Sequence, residues 1–414
     1  MASSLSTTTD PRASIAVSLW RAAMVSLAVM PVGMAIAHRS SPVYVVLSAA
    51  LCLAAAALEG RLQSVLRELW SALRSPLGLA TLVFFAWCLL SIGWSEFRGL
   101  SFRAFGEFWL PIAAALVLGL TLPKHINPNM FWLFLGAYLL SGVMIVGELQ
   151  TGMVLRRALG VRYDTFIFNR PVLTLLTLLL PLSAWIMGGM RRGWLVQLAL
   201  VLFVGLVALR SESDAAVLGL AIVCLTLPIA WFAPRLTIAL ATFSFLAAVC
   251  LAPVIGSIGA RLIPPEVHKM IASSHSKERV EIWQSFGEVV RRQPLVGSGF
   301  GVSPRMPDTA VAKELPKELR PALDIGHPHN AVLQIWVELG AVGAIIFLVI
   351  AFLILRALWR LPHLTRSAAL ALMAGAAPVA LVGHGAWQGW WAASLGAAII
   401  WMQAASRFQT ETKS

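Results

Sequence analysis

GHPHNAVLQIWVELGAVGAIIFLVIAFLIL, residues 326–355, joins two imidazoles and a carboxamide to a long, almost unbroken apolar run. A helix that crosses a bilayer needs roughly 20 predominantly apolar residues, and the run from Ala331 to Leu355 meets that length without a proline. His327, His329 and Asn330 therefore stand at the mouth of a spanning helix, with Gln334 and Glu338 following Asn330 at steps of four along one face. Ionisable groups inside a span are expensive and mark function by default.

The rest of the chain repeats the apolar theme. Of 414 residues, 58% are hydrophobic and only 12% charged, and the mean hydropathy is +0.80, which excludes a soluble domain. Twelve spans are expected, at roughly 14–37, 42–58, 77–94, 108–122, 129–147, 171–188, 194–209, 214–232, 236–256, 330–356, 367–383 and 386–405. The fold class that follows is an all-α polytopic integral membrane protein. A single membrane domain fills residues 1–414, with one long periplasmic loop subdomain at about 257–329. A net charge of +13 would suggest nucleic acid in a soluble protein, but the positive-inside bias accounts for it here, and no nucleic-acid partner is expected. Cys52, Cys88, Cys224 and Cys250 all fall in apolar runs and read as buried thiols, not as disulfides or metal ligands. The Ser/Thr-rich start followed by an apolar run containing Arg21 does not read as a cleavable signal peptide.

An even number of spans puts both ends of the chain on one side. Arg61, Arg67, Arg74, Lys124, Arg191, Arg192, Arg235, Arg356, Arg360 and Arg366 gather on that side, which makes it the cytoplasm. Two connections on the opposite face also carry arginines. The long one crosses whatever its charge, but the short one, about 148–170, holds Arg156, Arg157, Arg162 and Arg170 against the topological grain. Those arginines invite an anion: a lipid headgroup or another phosphate for Arg156, Arg157 and Arg162, and an anion at the mouth of its span for Arg170. In the long loop, residues 276–293 read as an amphipathic helix with Val280, Trp283, Phe286 or Gly287, and Val290 on one face. Such a helix is suited to lie on the membrane surface and cap a cavity. Pro294 stops it, and the glycine-rich turn to Gly301 follows. Glycine-rich backbone presents N–H groups to phosphates, although no lysine and hydroxyl follow in the nucleotide-binding pattern.

His329-Asn330, nine residues, Gly340, two residues and Gly343 resembles the motif of the O-antigen ligase family. Arg279 four residues before Trp283, leading to the run Pro294 to Gly301, is similar to the signature of the wider O-antigen ligase and polymerase superfamily, as is Leu209-Arg210-Ser211. The resemblance implies a GT-C-like membrane glycosyltransferase architecture and an inverting, metal-independent enzyme without cofactor. It implies transfer of a glycan from undecaprenyl pyrophosphate to the lipid A-core oligosaccharide at the periplasmic face of the bacterial inner membrane. It also implies His329 as general base and Arg210 and Arg279 as pyrophosphate clamps. The chemistry of the residues agrees: arginine binds phosphate bidentately and keeps its proton, and histidine titrates near ambient pH.

Spacing alone leaves His327 open as the base. Asn330, Gln334 and Glu338 are candidates to orient the histidine or to hold acceptor hydroxyls, and Gly340 and Gly343 read as positions where a neighbouring helix approaches. Glu212 and Asp214 form a carboxylate pair of the kind that seats a divalent cation, but Arg210 offers the charge without a metal. Trp387, Trp390 and Trp391 read as interface anchors. Two alternatives stand beside the ligase. One keeps the chemistry and changes the acceptor, giving a glycan polymerase or a protein O-glycosylating transferase; the other is a lipid-linked glycan transporter without chemistry.

Overall fold

The computed structural model of the protein describes residues 11–264, 266 and 276–411. The polar start and residues 267–275 of the long loop lie outside the described residues. The helices in chain order are α1 (Pro11–Ile36), α2 (Ser41–Leu58), α3 (Leu62–Arg74), α4 (Pro76–Ser91), α5 (Arg98–Thr121) and α6 (Pro128–Gln150). They continue with α7 (Val154–Ala158), α8 (Asn169–Gly189), α9 (Gly193–Arg210), α10 (Asp214–Phe232), α11 (Pro234–Leu251) and α12 (Ile255–Leu262). The last are α13 (Ser276–Arg292), α14 (Ala310–Lys313), α15 (Ala331–Trp359), α16 (His363–Pro378) and α17 (Gly389–Glu411). No strand occurs among the described residues. The protein is an all-α polytopic membrane protein, with eleven segments long and apolar enough to cross a bilayer among the described residues.

The twelfth expected span corresponds to α17, which has the length, at 23 residues, but carries Trp390, Trp391, Ser394 and Gln403. It packs against α8 and α5, with Ser394, Ala397, Ala398 and Trp401 fully buried, so protein and not lipid solvates its polar groups. Local chemistry sets many helix starts. Proline occupies the first turn of α2, α4, α6 and α11, where its missing N–H costs nothing. The side chains of Ser75, Asn127 and Asn330 cap α4, α6 and α15 by accepting from Gly78, Met130 and Leu333 N–H groups at 3.1, 3.2 and 3.0 Å.

Three boundaries differ from expectation for physical reasons. Helix α5 begins at Arg98, ten residues before the expected span, because Arg103 and Glu107 interrupt the apolar pattern without breaking the helix. Helix α3 is an extra amphipathic element whose Leu62, Leu66 and Trp70 face outward; charged residues on its other face hid it from a search for spans. Helix α11 ends at Leu251, and a turn at Ala252–Val254 leads into the short α12. The four thiols also divide: Cys52 and Cys88 are buried, whereas Cys224 and Cys250 face outward from α10 and α11, where lipid rather than protein surrounds them.

Two apolar cores hold the bundle. The larger gathers α1, α2, α5, α6, α8, α9 and α17 around Phe131, Phe134, Tyr138 and Trp401. The second joins α4 and α15 to the long loop: Phe84, Phe286, Phe300, Met306, Leu323 and Leu333 share it. The loop is therefore packed onto the spans, not tethered beside them. Helix α13 forms as expected and buries Val280, Phe286, Gly287 and Val290, but against α12, α15 and the turn after α11 and not on a lipid surface. Gly256 and Gly287 allow this close approach, since a Cβ on Gly256 would stand 2.2 Å from the Gln284 nitrogen.

Candidate active site

The site is built where α15 breaks. Gly340 interrupts the helix with φ +66° and ψ −164°, a conformation open to glycine and closed to residues with a Cβ. A Cβ there would meet the Leu295 carbonyl oxygen at 2.3 Å. The break frees carbonyls, and the glycine-rich turn supplies the missing donors: Ser298 N–H donates to Val337 O at 2.8 Å and Gly299 N–H to Glu338 O at 2.9 Å, while Ala341 N–H donates to Pro294 O at 2.8 Å. Gly340 thus faces an extended segment of the same chain, and the atoms nearest to Gly343 belong to Leu339 one turn earlier. For Gly340 the expectation that it admits a neighbouring helix is corrected by this geometry.

The same turn receives an internal anion. Glu338, fully buried, accepts from the Gly301 N–H, from Ser303 Oγ at 2.5 Å, from Trp387 Nε1 at 2.6 Å and from Gln334 Nε2 at 2.9 Å. Phe300 N–H donates to Ser91 Oγ at 3.1 Å. These backbone donors are therefore occupied within the protein, and the expectation that the glycine-rich backbone presents them to phosphate does not hold. A half-satisfied buried carboxylate would cost several kcal/mol; the full set of donors ties α15, the 298–303 turn and the segment after α16 into one unit.

On this platform stand three histidines. Asn330 caps α15, and the residue before it, His329, adopts φ +50°, a left-handed backbone uncommon outside glycine that the surroundings must enforce. Trp283 of α13 donates from Nε1 to the Pro328 carbonyl at 3.0 Å, which holds the loop from outside. His329 Nδ1 bonds the Gly383 carbonyl at 2.9 Å. A carbonyl only accepts, so in the neutral ring the proton sits on Nδ1 and leaves Nε2 with a free lone pair. His327 Nδ1 instead accepts the His329 N–H at 3.2 Å, which puts the proton of neutral His327 on Nε2. The two rings lie 4.2 Å apart. His384, between Gly383 and Gly385, meets the Trp390 ring at 5.2 Å.

All three imidazoles are held neutral. Burial comes first in each case: it lowers the pKa of His329, aided by Arg279 and opposed by the Gly383 bond. It brings His327 down to about 4, with His329 and Arg170 contributing, and His384 down to about 3, with Arg170 and its neighbours contributing.

Arg170 and Arg279 are thus within electrostatic reach of the histidines. Arg170 lies at the start of α8, its guanidinium 5.8 Å from the Trp390 ring centroid, and its buried Nε has no hydrogen-bond partner. Arg279 on α13 is half-buried, which lowers its pKa, with Asp214 as the opposing charge. Arg210 ends α9, exposed, in the turn that leads to Asp214. It forms no ion pair among the described residues: Glu212 accepts instead from Thr165 at 2.5 Å. No group of three or more His, Cys, Asp or Glu residues is arranged to hold a metal among the described residues.

The other sequence candidates are placed differently. Arg156 is buried, at 5% exposure, and donates to the carbonyls of Ile36 at 2.9 Å, Ala35 at 3.3 Å and Arg162 at 2.8 Å. It caps the end of α1, where a cation is favoured, and is not open to a headgroup. Arg162 pairs with Asp164, and Arg157 stacks over Tyr163 at 5.6 Å in an exposed hollow with Gly160 and Val161. Asn330, Gln334 and Glu338 direct polar atoms at the protein's own backbone and side chains; Gln334 Oε1 accepts from Ala386 N–H at 2.8 Å. Trp387 and Trp390 are buried parts of the site, which corrects their reading as interface anchors.

Sequence reasoning passed over His384. A histidine between two glycines, just beyond Pro378 at the end of a span, was the available signal, because Pro378 cannot continue the helical ladder and a one-turn π-helix at Val379–Gly383 follows it. Arg39 in the turn between α1 and α2 was also missed; it acts on Arg170 and His384 from across the site.

Comparison with known proteins bears on this arrangement. The O-antigen ligase family model matches residues 176–348, which contain Arg210, Arg279, the glycine-rich turn, His329, Gly340 and Gly343, while Arg170 and His384 lie outside it. A Rickettsia conorii protein named as a candidate polysaccharide ligase is 23% identical over 326 residues, 76% of each chain. A Rickettsia prowazekii protein of the same description is 28% identical over 187 residues, 44% of this chain and 45% of that one. No solved structure matches. The chain is thus similar to O-antigen ligases over residues 176–348 and to proteins described as polysaccharide ligases over a wider span.

Proposed function

We propose that the protein is an O-antigen ligase. In this reading it transfers a glycan from undecaprenyl pyrophosphate to the lipid A-core oligosaccharide at the periplasmic face of the bacterial inner membrane. The observation that carries the reading is the free Nε2 of His329, with Nδ1 held by Gly383, beside an Arg170 whose buried Nε has no hydrogen-bond partner. The acceptor hydroxyl attacks the anomeric carbon of the donor sugar. As the new glycosidic bond forms, the carbon–oxygen bond to pyrophosphate breaks on the opposite side, inverting the centre. The hydroxyl proton passes to His329 Nε2, and polyprenyl pyrophosphate leaves with its charge stabilised by Arg279 and Arg170. Arg210, at the neighbouring turn, meets the outer phosphate. His327 supports His329 by accepting its backbone N–H, and the proton on its own Nε2 disfavours it as base. Gln334, Glu338 and Asn330 keep the broken helix and the histidine loop in register. No resident metal or cofactor is invoked. The membrane orientation follows the arginine distribution, with both ends of the bundle in the cytoplasm.

Reconstitution of purified protein with a polyprenyl-pyrophosphate glycan and lipid A-core, with and without chelator, tests this. The expected result is a slow-migrating glycolipid, insensitive to chelator and absent for His329→Ala. Elongation of the polyprenyl-linked glycan with the lipid A-core unmodified would identify a polymerase instead. Two unchanged lipids would favour the transporter.

A further inference from the structure

Beside His327 lies a cleft of about 170 Å³ whose lining includes neither Arg170 nor Arg279. Its walls are the outer turns of α5, at Leu100, Arg103 and Glu107, and the loops that carry His327, Trp387 and Gln388. Arg103 and Glu107 stand one turn apart, both exposed, yet form no ion pair among the described residues. Exposed and unpaired, both charged groups are available to a polar ligand. The wall is rigid: Gly389 at the start of α17 abuts the Glu107 carbonyl, 2.4 Å from where a Cβ would stand. Gly301, Gly326 and Gly385 keep the cleft open by lacking side chains.

We propose that this cleft is the acceptor subsite and takes a sugar ring of the lipid-anchored acceptor. The inference rests on the glycosyl-transfer reading above and names the place of its second substrate. A cavity of roughly 150 Å³ accommodates a six-membered ring, so the space suits one sugar. Glu107 accepts from neighbouring hydroxyls, Arg103 donates to ring or hydroxyl oxygens, and the free amide of Gln388 adds a further donor, its Oε1 being engaged by Trp390 Nε1 at 3.0 Å. The carboxylate of Glu107 repels a pyrophosphate, which directs the donor's phosphates to the arginine side. His327 lines the cleft and its ring lies 4.2 Å from that of His329, so a hydroxyl of a sugar held in the cleft is brought next to the base.

The test uses the full-length protein with a polyprenyl-pyrophosphate glycan and lipid A-core, varied separately. Glu107→Ala and Arg103→Ala are expected to raise the acceptor KM about tenfold to a hundredfold, the loss of one charged hydrogen bond each, with donor KM and thermal unfolding unchanged. An unchanged acceptor KM in both variants overturns the proposal, and a rise in donor KM alone reassigns the cleft to the donor glycan. Binding is read independently of turnover by maleimide labelling of Leu100→Cys in a background without native cysteines. Protection by deacylated core oligosaccharide but not by polyprenyl pyrophosphate is expected, and the reverse pattern sinks the assignment. A wild-type enzyme that binds core oligosaccharide in the cleft yet forms no glycolipid would refute the ligase reading while leaving the subsite standing.

Discussion

The segment 148–164 and the histidine pocket both carry arginines, yet they treat their charges in opposite ways. In the first, Glu148 accepts the backbone N–H groups of Leu155 and Arg156 at 2.9 and 3.0 Å. Arg156 is absorbed by the carbonyl end of α1, and Arg162 is paired with Asp164. In the second, Arg170 keeps a buried nitrogen without a partner, Arg279 has Asp214 as an opposing charge but forms no ion pair among the described residues, and three imidazoles remain neutral beside them. A cation that folding has satisfied stabilises structure, whereas one left unsatisfied near an unprotonated ring nitrogen is prepared for an anion that arrives from outside. Sequence alone makes the two groups of arginines look alike.

The sharpest way to break this comparison is His329→Ala beside His327→Ala. Loss of a general base is expected to lower turnover by about 10²–10⁴-fold for His329, with a smaller loss for His327, measured as glycolipid formed per minute. Equal losses would assign the pair a joint role. Next, Arg279→Lys keeps the charge and loses the planar fork, so activity is expected to fall about tenfold or more, while the same change at Arg162 leaves activity within a factor of two of wild type. Near-wild-type activity for Arg279→Lys would remove it from direct phosphate contact.

The pH dependence offers a third test. The burial-lowered pKa of His329 means that the base is lost only below the ordinary value of about 6.5, so the acid limb of kcat/KM against pH is expected under 6.5. A limb above 7 would exclude His329 as the titrating base. Stability behaves in the same direction: His327 and His384, near 4 and 3 when folded, bind protons more readily unfolded, so stability present above pH 6.5 is lost as pH falls from there toward 4. Detergent-solubilised Tm measured over that window checks it. The smallest effect on chemistry is expected for Arg156→Ala, which strips the carbonyls of Ala35, Ile36 and Arg162 of their buried charged donor. About 3 kcal/mol of stability is lost, visible as a lowered Tm, with specific activity of the folded fraction retained. An unchanged Tm would end the structural reading of Arg156.

Much of this was legible in the residues. The apolar runs announced the spans because the bilayer imposes one length on every crossing helix, and α13 showed its buried face at helical spacing. The motif around His329 pointed to the loop where the site lies. Other parts were not legible because they depend on contacts between distant segments. Gly340 reads as any small residue in a span until Leu295 is found against it, and the glycine-rich turn reads as a phosphate cradle until Glu338 fills it. Arg39 carries no local pattern at all.

Composition and periodicity settled the membrane class, the helical architecture and the approximate crossing points, since these follow from the free energy of placing each residue in hydrocarbon. Which imidazole nitrogen is free, which arginine is left uncompensated and which face of His327 opens on a cleft were decided only in the folded bundle. Each depends on a partner tens or hundreds of residues away, such as Gly383 for His329 or Ile36 for Arg156, and no local rule of sequence specifies which distant group a side chain will meet.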